Sequence, residues 1–281
     1  VVKLKTPSLL STAKVVAGVR SVDQAQLKQI NEEQETAITE MKKLSADVGV
    51  LYRYKMVLNA VAVVGPKEVF EKLSAIGLIA SWEKVGTFER PINMKTEGLT
   101  KASTVAEHNA LKFLGAEKLH QLGITGRGMT VGVIDTGIDY THAMFGGVGT
   151  EEGYKAVDPS KESAGYPSVK VVGGVDLVGT IYDSGSPEYT HRIPKPDMNP
   201  LDEAGHGTHV AGSIAGVGDG INSYDGMAKD ASLYAIKVFG ADGSTSDMVV
   251  IAGLEFAADP NGDGDLRDQL DIVNLSLGSG Y

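Results

Sequence analysis

The sequence predicts an α/β fold with a parallel sheet in residues 101–281, preceded by a ferredoxin-like α+β domain in residues 1–100. Two observations predict this division. The composition changes near residue 100, because the first part is rich in Lys and Glu while the second holds most of the Gly and Asp. The order of predicted elements also changes, from β-α-β-β-α-β to an alternation of strands and helices that is typical of α/β domains.

The N-terminal part is predicted to form an antiparallel sheet with two helices on one face. The longer helix follows a capping-box pattern at residues 21–24 and repeats apolar residues every three or four positions, which indicates one buried helix face. The shorter helix begins after Gly65 and ends at Gly77. The predicted elements in chain order are strand 13–19, helix 27–48, strands 50–54 and 56–64, helix 69–76 and strand 78–85.

The second part is predicted to contain a buried parallel sheet. Its strands are apolar runs rather than alternations of apolar and polar residues, as expected when helices cover both faces of a sheet. Residues 86–104, which include Pro91 and Gly98, indicate an exposed linker before this part. The predicted elements in chain order are strands 129–134 and 169–178, helix 206–216, strand 232–238, helix 246–258 and strand 271–277.

Charge and composition exclude several classes of protein. The chain has 26 basic and 36 acidic side chains, and a net charge of -10 argues against a nucleic-acid partner. No cysteine is present, so there is no disulfide framework, thiolate zinc site or thiol nucleophile. No apolar run approaches the ~20 residues of a membrane span, and residues 1–7 lack the apolar centre of an export signal. We therefore expect a globular chain whose export signal has been removed or was never present.

Two residues are candidates for proton transfer. Asp135 ends the strand 129–134, and active sites of α/β sheets lie at the carboxyl ends of their strands. His206 lies between glycines at the start of a helix, where an imidazole is free to exchange a proton. Asp135 could instead be an ordinary turn or cap residue. A metal pair of His206 with His209 is disfavoured, because no glutamate lies between them and a further ligand would be needed.

In combination with the segment Ser276-Leu277-Gly278, these residues resemble the subtilisin-like serine proteases, or subtilases. The resemblance runs from about His108 to the end of the chain. The matching segments, in order, are residues 122–128, the strand ending at Asp135, the helix beginning at His206, and residues 226–228, 232–238 and 276–278.

The resemblance implies a role for each matched residue. Asp135 would orient the His206 imidazole, and His206 would take a proton from a serine hydroxyl and return it to the leaving amine. Ser276, Leu277 and Gly278 would form the substrate-binding strand, and Gly243 and Ser244 would begin the strand on the substrate's other side. The long stretch 146–200 resembles that of the larger secreted subtilases. The resemblance therefore implies a secreted endopeptidase that acts on proteins and peptides.

The chain departs from the family pattern at its carboxyl end. The family's oxyanion asparagine and nucleophilic serine follow the substrate strand, and residues 1–281 contain neither. Ser213, Ser276 and Ser279 occupy other positions. We therefore expect this chain to be the N-terminal part of a protease precursor, to be inactive alone, and to need the remainder of the peptidase domain as its partner.

The N-terminal part resembles the inhibitor propeptide of subtilases, which assists folding and covers the substrate cleft until it is cut away. Its processing site is expected between Phe88 and Thr104. An alternative function is a non-catalytic inhibitor or binding protein built on a broken protease scaffold. An aspartic protease half based on residues 135–137 is disfavoured by the many predicted helices.

The loop at residues 259–268 is predicted to bind calcium, because a hard cation takes several oxygen ligands and a sharp turn. The candidate ligands are Asp259, Asn261, Asp263, Asp265 and Asp268. Leu270 stands where an EF-hand has glutamate, so that motif is disfavoured, and a merely solvated acidic loop is the alternative. Met144 stands where many subtilisins have an aspartate ligand, which puts that other calcium site in doubt.

Overall fold

The structure of this chain is a computed structural model, and its contacts group the residues into two compact units. The first contains Val1–Phe88 and Thr245–Leu270, and the second contains Glu89–Ser244 and Asp271–Tyr281. The residues that the structure describes are 1–16, 19–90, 110–218 and 225–278. Most of the predicted linker, the predicted boundary at residue 100, His108 and Ser279 lie outside these ranges. Of the helices within them, none is both long and apolar enough to cross a membrane.

The first unit is an α+β structure. Its elements are β1 (Val2–Lys3), α1 (Leu9–Thr12), β2 (Lys14–Val16), β3 (Val19–Ser21), α2 (Gln24–Leu44), β4 (Gly49–Tyr54), β5 (Ala60–Val64), α3 (Lys67–Ala75), β6 (Ser81–Trp82), β7 (Thr87–Phe88), β11 (Thr245–Ser246) and α8 (Asp247–Ala258).

Four of these strands form an antiparallel sheet in the order β4-β5-β1-β6. Val2 lies opposite Val61 on one side and Trp82 on the other, so β1 is a central strand. Helix α2 lies between β1 and β4 in the chain, and α3 lies between β5 and β6. This order, β-α-β-β-α-β, confirms the predicted α+β fold of the N-terminal part.

The start of the first unit differs from the sequence prediction. Residues 13–19 are predicted to be the first strand of the sheet, but within the described part of the chain β2 and β3 pair only with each other. Val15 in β2 is 64% exposed, so this apolar run is not covered as a central strand would be. The true first strand, β1, has two residues and is too short to show a periodicity. Helix α2 is capped by Asp23, which accepts the N–H of Ala25, rather than by a capping box from Ser21.

A carboxylate from α8 organises the turn between β4 and β5. The side chain of Glu255 accepts four backbone N–H groups, those of Lys55, Met56, Val57 and Leu58, at N–O distances of 2.7, 2.8, 2.6 and 3.3 Å. Burial raises the pKa of the Glu255 carboxyl, and the hydrogen bonds act against that shift. Since turns leave their N–H groups without strand partners, this carboxylate satisfies donors that the turn itself cannot.

The second unit is an α/β structure. Its elements are α4 (Ala110–Leu114), α5 (Ala116–Gln121), β8 (Thr130–Asp135), a 3₁₀ turn (Ala143–Phe145), α6 (Glu151–Lys155), β9 (Val171–Asp176), a second 3₁₀ turn (Tyr189–Arg192), α7 (His206–Ala215), β10 (Ser232–Lys237) and β12 (Ile272–Leu275).

The strands of the second unit form a parallel sheet in the order β12-β8-β10-β9, which confirms the predicted fold class. Lys237 lies opposite Asp135 on β8 and Asp176 on β9, so these three strands end side by side. Helix α7 contributes Ala211 and Ala215 to the core beside the sheet. Because these side chains are small, α7 can pack close to the sheet.

We expect Glu255→Ala to lower the free energy of unfolding by about 2–3 kcal/mol, since it leaves several enclosed N–H groups without an acceptor. Glu255→Gln keeps one oxygen that can accept these hydrogen bonds, so its free energy of unfolding should lie between those of the wild type and Glu255→Ala. Urea denaturation followed by the fluorescence of Trp82, the single tryptophan, measures the effect in the first unit. Glu32→Ala is the matched control, because Glu32 is exposed on α2 and its ion pair spans 3.8 Å. Equal effects of the two alanine variants would contradict the role given to Glu255.

Candidate active site

Asp135 and His206, which the sequence places 71 residues apart, are joined by a hydrogen bond. Oδ1 of Asp135 is 2.7 Å from Nδ1 of His206 and also accepts the N–H of Thr136 at 2.7 Å. Asp135 is fully buried, whereas the His206 side chain is 17% exposed. The carboxylate is therefore enclosed, while the imidazole remains open to solvent and to a reactant.

Burial raises the pKa of Asp135 above its ordinary value, and the hydrogen bonds from His206 and Thr136 act against that shift. The other oxygen, Oδ2, has no hydrogen-bond partner among the described residues. An ionised carboxylate in such surroundings is costly unless a positive group lies beside it. The imidazole of His206 lies beside this carboxylate, with its Nδ1 2.7 Å from Oδ1.

The backbone presents His206 at the first position of α7. Gly205 precedes it with φ of 87°, a left-handed conformation that glycine adopts without strain. Gly207 follows it and lies against the turn after β8, because its N–H donates to Oγ1 of Thr136 at 2.8 Å. A side chain at Gly207 would overlap the carbonyl oxygen of Gly137. The glycines around His206 thus allow close contact between helix and strand, a reason that the sequence pattern did not reveal.

Asp202 fixes the turn that leads to His206, and sequence reasoning did not single it out. Its Oδ1 accepts the N–H groups of Ala204 and Gly205, each at 2.9 Å. Its Oδ2 accepts the N–H and the hydroxyl of Thr208 at 2.9 and 2.6 Å. The hydroxyl of Thr136 also donates to Oδ1. The one available signal was an aspartate just before a helix, where such residues commonly accept backbone N–H groups.

The predicted substrate-binding residues lie near strand ends. Ser276, Leu277 and Gly278 follow β12, and β12 pairs with β8 up to Leu275 opposite Ile134. The Ser276 hydroxyl accepts a hydrogen bond from Asn274 at 2.8 Å. Their role in binding substrate stays a prediction.

Gly243 and Ser244, predicted to face the other side of a substrate, lie in the loop after β10. The N–H and hydroxyl of Ser244 donate to Oδ1 of Asp183 at 3.0 and 2.7 Å. This pairing gives the loop a fixed backbone, which an edge that binds an extended peptide requires. Their contact with substrate also remains a prediction.

The acidic loop in the first unit brings three of its five candidate ligands together. One carboxylate oxygen from each of Asp259, Asp263 and Asp268 lies within 4.8 Å of the others, so this group could bind a metal ion. Burial raises the pKa of Asp259, and the charges of Asp268 and Asp263 add to the shift. Oδ1 of Asp268 is enclosed and lacks a hydrogen-bond partner in the described ranges. An enclosed oxygen without a donor suits a hard cation.

The other two candidate ligands are arranged differently. Asp265 binds Nε of Arg267 at 2.7 Å, and it is not part of the three-carboxylate group. Asn261 donates its side-chain amide to Asp263 at 3.1 Å and its backbone N–H to Asp268 at 3.1 Å. The alternation of oxygen-bearing residues predicted the loop, but it could not show that Arg267 would occupy one carboxylate.

A buried carboxylate hydrogen-bonded to a histidine corresponds to two of the three residues, Asp and His, of the proton-transfer site of serine hydrolases. Here the pair lies at the end of a parallel strand. The model of the Subtilase family matches residues 126–281, more than half of the chain, and the chain belongs to this family.

Among its relatives, the chain is 31% identical over 230 residues to the minor extracellular protease Vpr of Bacillus subtilis, covering 80% of this chain and 23% of that protein. It is 32% identical over 164 residues to subtilisin E of Bacillus subtilis, covering 58% of this chain and 30% of that protein. Bacillopeptidase F of the same species is 29% identical over 291 residues, covering 99% of this chain and 18% of that protein. The chain thus spans less than a third of the length of these relatives.

We expect Gly207→Ala to lower the free energy of unfolding by about 1–3 kcal/mol, because the added methyl group forces α7 away from the turn after β8. Gly212→Ala in the same helix is the control. Its methyl group would lie 3.7 Å from Met144, an ordinary contact, so it should be neutral or stabilise by up to about 1 kcal/mol. Thermal denaturation measures both variants. A Gly207→Ala protein as stable as Gly212→Ala would refute the close contact described above.

Proposed function

We propose that this chain is the N-terminal portion of a secreted serine endopeptidase precursor, in which Asp135 and His206 are two members of an Asp-His-Ser triad. The hydrogen bond between them carries this proposal. His206 accepts the proton of a serine hydroxyl through Nε2 as the oxygen attacks the peptide carbonyl carbon. Asp135 stabilises the imidazolium, which then protonates the leaving amine. A water molecule then attacks the resulting acyl ester, with His206 again accepting the proton, and the serine hydroxyl leaves as the acid product is released. The similarity to the minor extracellular protease Vpr supports the proposal that this protein is secreted.

The nucleophile is proposed to come from further residues of the same protein. The exposure of β12 supports this proposal. Its apolar residues Ile272, Val273 and Leu275 are 50%, 36% and 39% exposed, although strands of parallel sheets are normally covered on both faces. Additional strands and helices of the peptidase domain would cover them. We propose that these additional elements carry the serine and the oxyanion-hole donors.

The N-terminal residues are proposed to act as a propeptide, both folding assistant and inhibitor. Four N–H groups of the β4–β5 turn donate hydrogen bonds to Glu255, and these bonds support the proposal. They attach the N-terminal residues to α8, a helix that the family match includes. Strand β7 also pairs with β11, with Phe88 opposite Thr245. Strand β11 directly follows Ser244, so β7 would occupy an edge that a peptide substrate would use. Processing is proposed between Phe88 and Thr104.

In the full-length protein, we expect Asp135→Asn to lower kcat by about 10⁴-fold and His206→Ala by about 10⁶-fold, since the serine loses its oriented base. Hydrolysis of a casein or peptide substrate gives the rates. Ser213→Ala is the control, because this exposed hydroxyl donates only to the His209 carbonyl at 3.1 Å.

A serine-directed reagent should abolish the activity of the full-length protein, and a pepstatin-type inhibitor should not. If the gene beyond residue 281 encodes neither the family's oxyanion asparagine nor its nucleophilic serine, and the chain inhibits an active subtilisin, the protein is an inhibitor instead.

We also propose that Asp259, Asp263 and Asp268 bind calcium in a structural role. Saturating calcium should raise the thermal midpoint, and a chelator should reverse the change. The stabilisation is about 2.7 kcal/mol when free calcium is 100-fold above Kd. Asp263→Asn should abolish the calcium effect, whereas Asp265→Asn should retain it because Asp265 binds Arg267. A midpoint that calcium and chelator both leave unchanged would show that the loop is only solvated.

A further inference from the structure

Lys237, the last residue of β10, is a buried cation that the proposed reaction does not use. Its side chain is fully buried, and its Nζ lies 2.7 Å from Oε2 of Glu203 and 3.2 Å from Oδ2 of Asp176. Burial alone lowers the pKa of the ammonium, but Asp176 and Glu203 outweigh it and hold that pKa above its ordinary value. Because an unpaired buried charge is strongly unfavourable, these carboxylates stabilise the ammonium in its buried position.

The position of Lys237 in the sheet is next to the proposed catalytic carboxylate. Lys237 lies opposite Asp135 on one neighbouring strand and Asp176 on the other. In-register side chains of neighbouring parallel strands project to the same face of a sheet. The ammonium nevertheless binds Asp176 and Glu203, while Asp135 binds His206 and Thr136. The carboxylate of Asp135 is thus left to the imidazole.

Glu203 connects this ion cluster to the histidine. It lies three residues before His206 in the turn that leads into α7, and its side chain is only 14% exposed. The preceding residue, Asp202, ties the same turn to Thr136 and to the first residues of α7. The turn is therefore fixed on two sides, by Asp202 to the end of β8 and by Glu203 to the ends of β9 and β10.

We propose that Lys237 is a positioning residue for the Asp135–His206 pair. Its ammonium holds Glu203, and with it the turn before α7, against the ends of β9 and β10, so that Nδ1 of His206 stays on Oδ1 of Asp135. The expected effect on catalysis rests on the proposed function, whereas the effect on the geometry of the pair does not.

The geometry is tested in the chain itself by proton NMR. A proton shared between Nδ1 of His206 and a buried carboxylate gives a separate low-field resonance, which Asp135→Asn identifies by removing it. We expect Lys237→Met and Glu203→Ala to broaden or abolish this resonance, while Glu203→Gln, which retains an oxygen for the ammonium, should preserve it.

Lys170→Met is the matched control. Lys170 is a partly buried lysine whose ammonium binds the carbonyl groups of Lys229 and Ala231, at the opposite ends of β9 and β10. This variant should leave the resonance unchanged. If Lys237→Met does not fold, Glu203→Ala decides, because Glu203 is partly exposed. A folded Glu203→Ala protein with an unchanged resonance would overturn the proposal.

Kinetics of the full-length protein give the second readout. Misplacing the base should lower kcat by about 10²-fold in Glu203→Ala with little change in KM, and Glu203→Gln should recover most of the rate. A purely structural role would lower stability without this separation of kcat from KM, and that result would count against positioning. If the full-length protein has no peptidase activity, the proposed function fails, and the NMR result alone decides whether Lys237 positions the pair.

Discussion

The hydrogen bond between Asp135 and His206 is the constraint on which the rest of the second unit depends. It requires a strand to end at the carboxylate, a helix to begin at the imidazole, and a backbone without side chains where the two meet. A buried carboxylate is stable only with partners, so the fold must bring the histidine to it. The sheet, the glycines beside His206 and the Asp202 turn all meet this one requirement.

Much of this arrangement could be predicted from the sequence, because it depends on local patterns. Strands β8, β9, β10 and β12 are apolar runs, and each lies within a few residues of its predicted bounds. Asp135 and His206 were identifiable because each sits at a predicted element end, and element ends of parallel sheets converge at one edge. In the first unit, the apolar periodicity of α2 and α3 located both helices, although the first strand of the sheet was misplaced.

The parts that were missed depend on contacts between distant residues. Nothing local indicates that Lys237 would pair with Asp176 and Glu203, or that Glu255 would accept the N–H groups of a turn 200 residues earlier. Strand β1 has two residues, so only its partners define it. The contacts in the structure also group residues 245–270 with the N-terminal residues. Sequence patterns describe neighbouring positions in the chain and cannot show a grouping of distant segments.

The exposed apolar residues of β12 have a consequence for handling the protein. Strand β12 lies at an edge of its sheet and has exposed apolar side chains, so it presents unpaired backbone groups and an apolar surface to other chains. Molecules consisting of residues 1–281 alone should therefore self-associate as their concentration rises, and mild detergents or added charge on β12 should keep them apart.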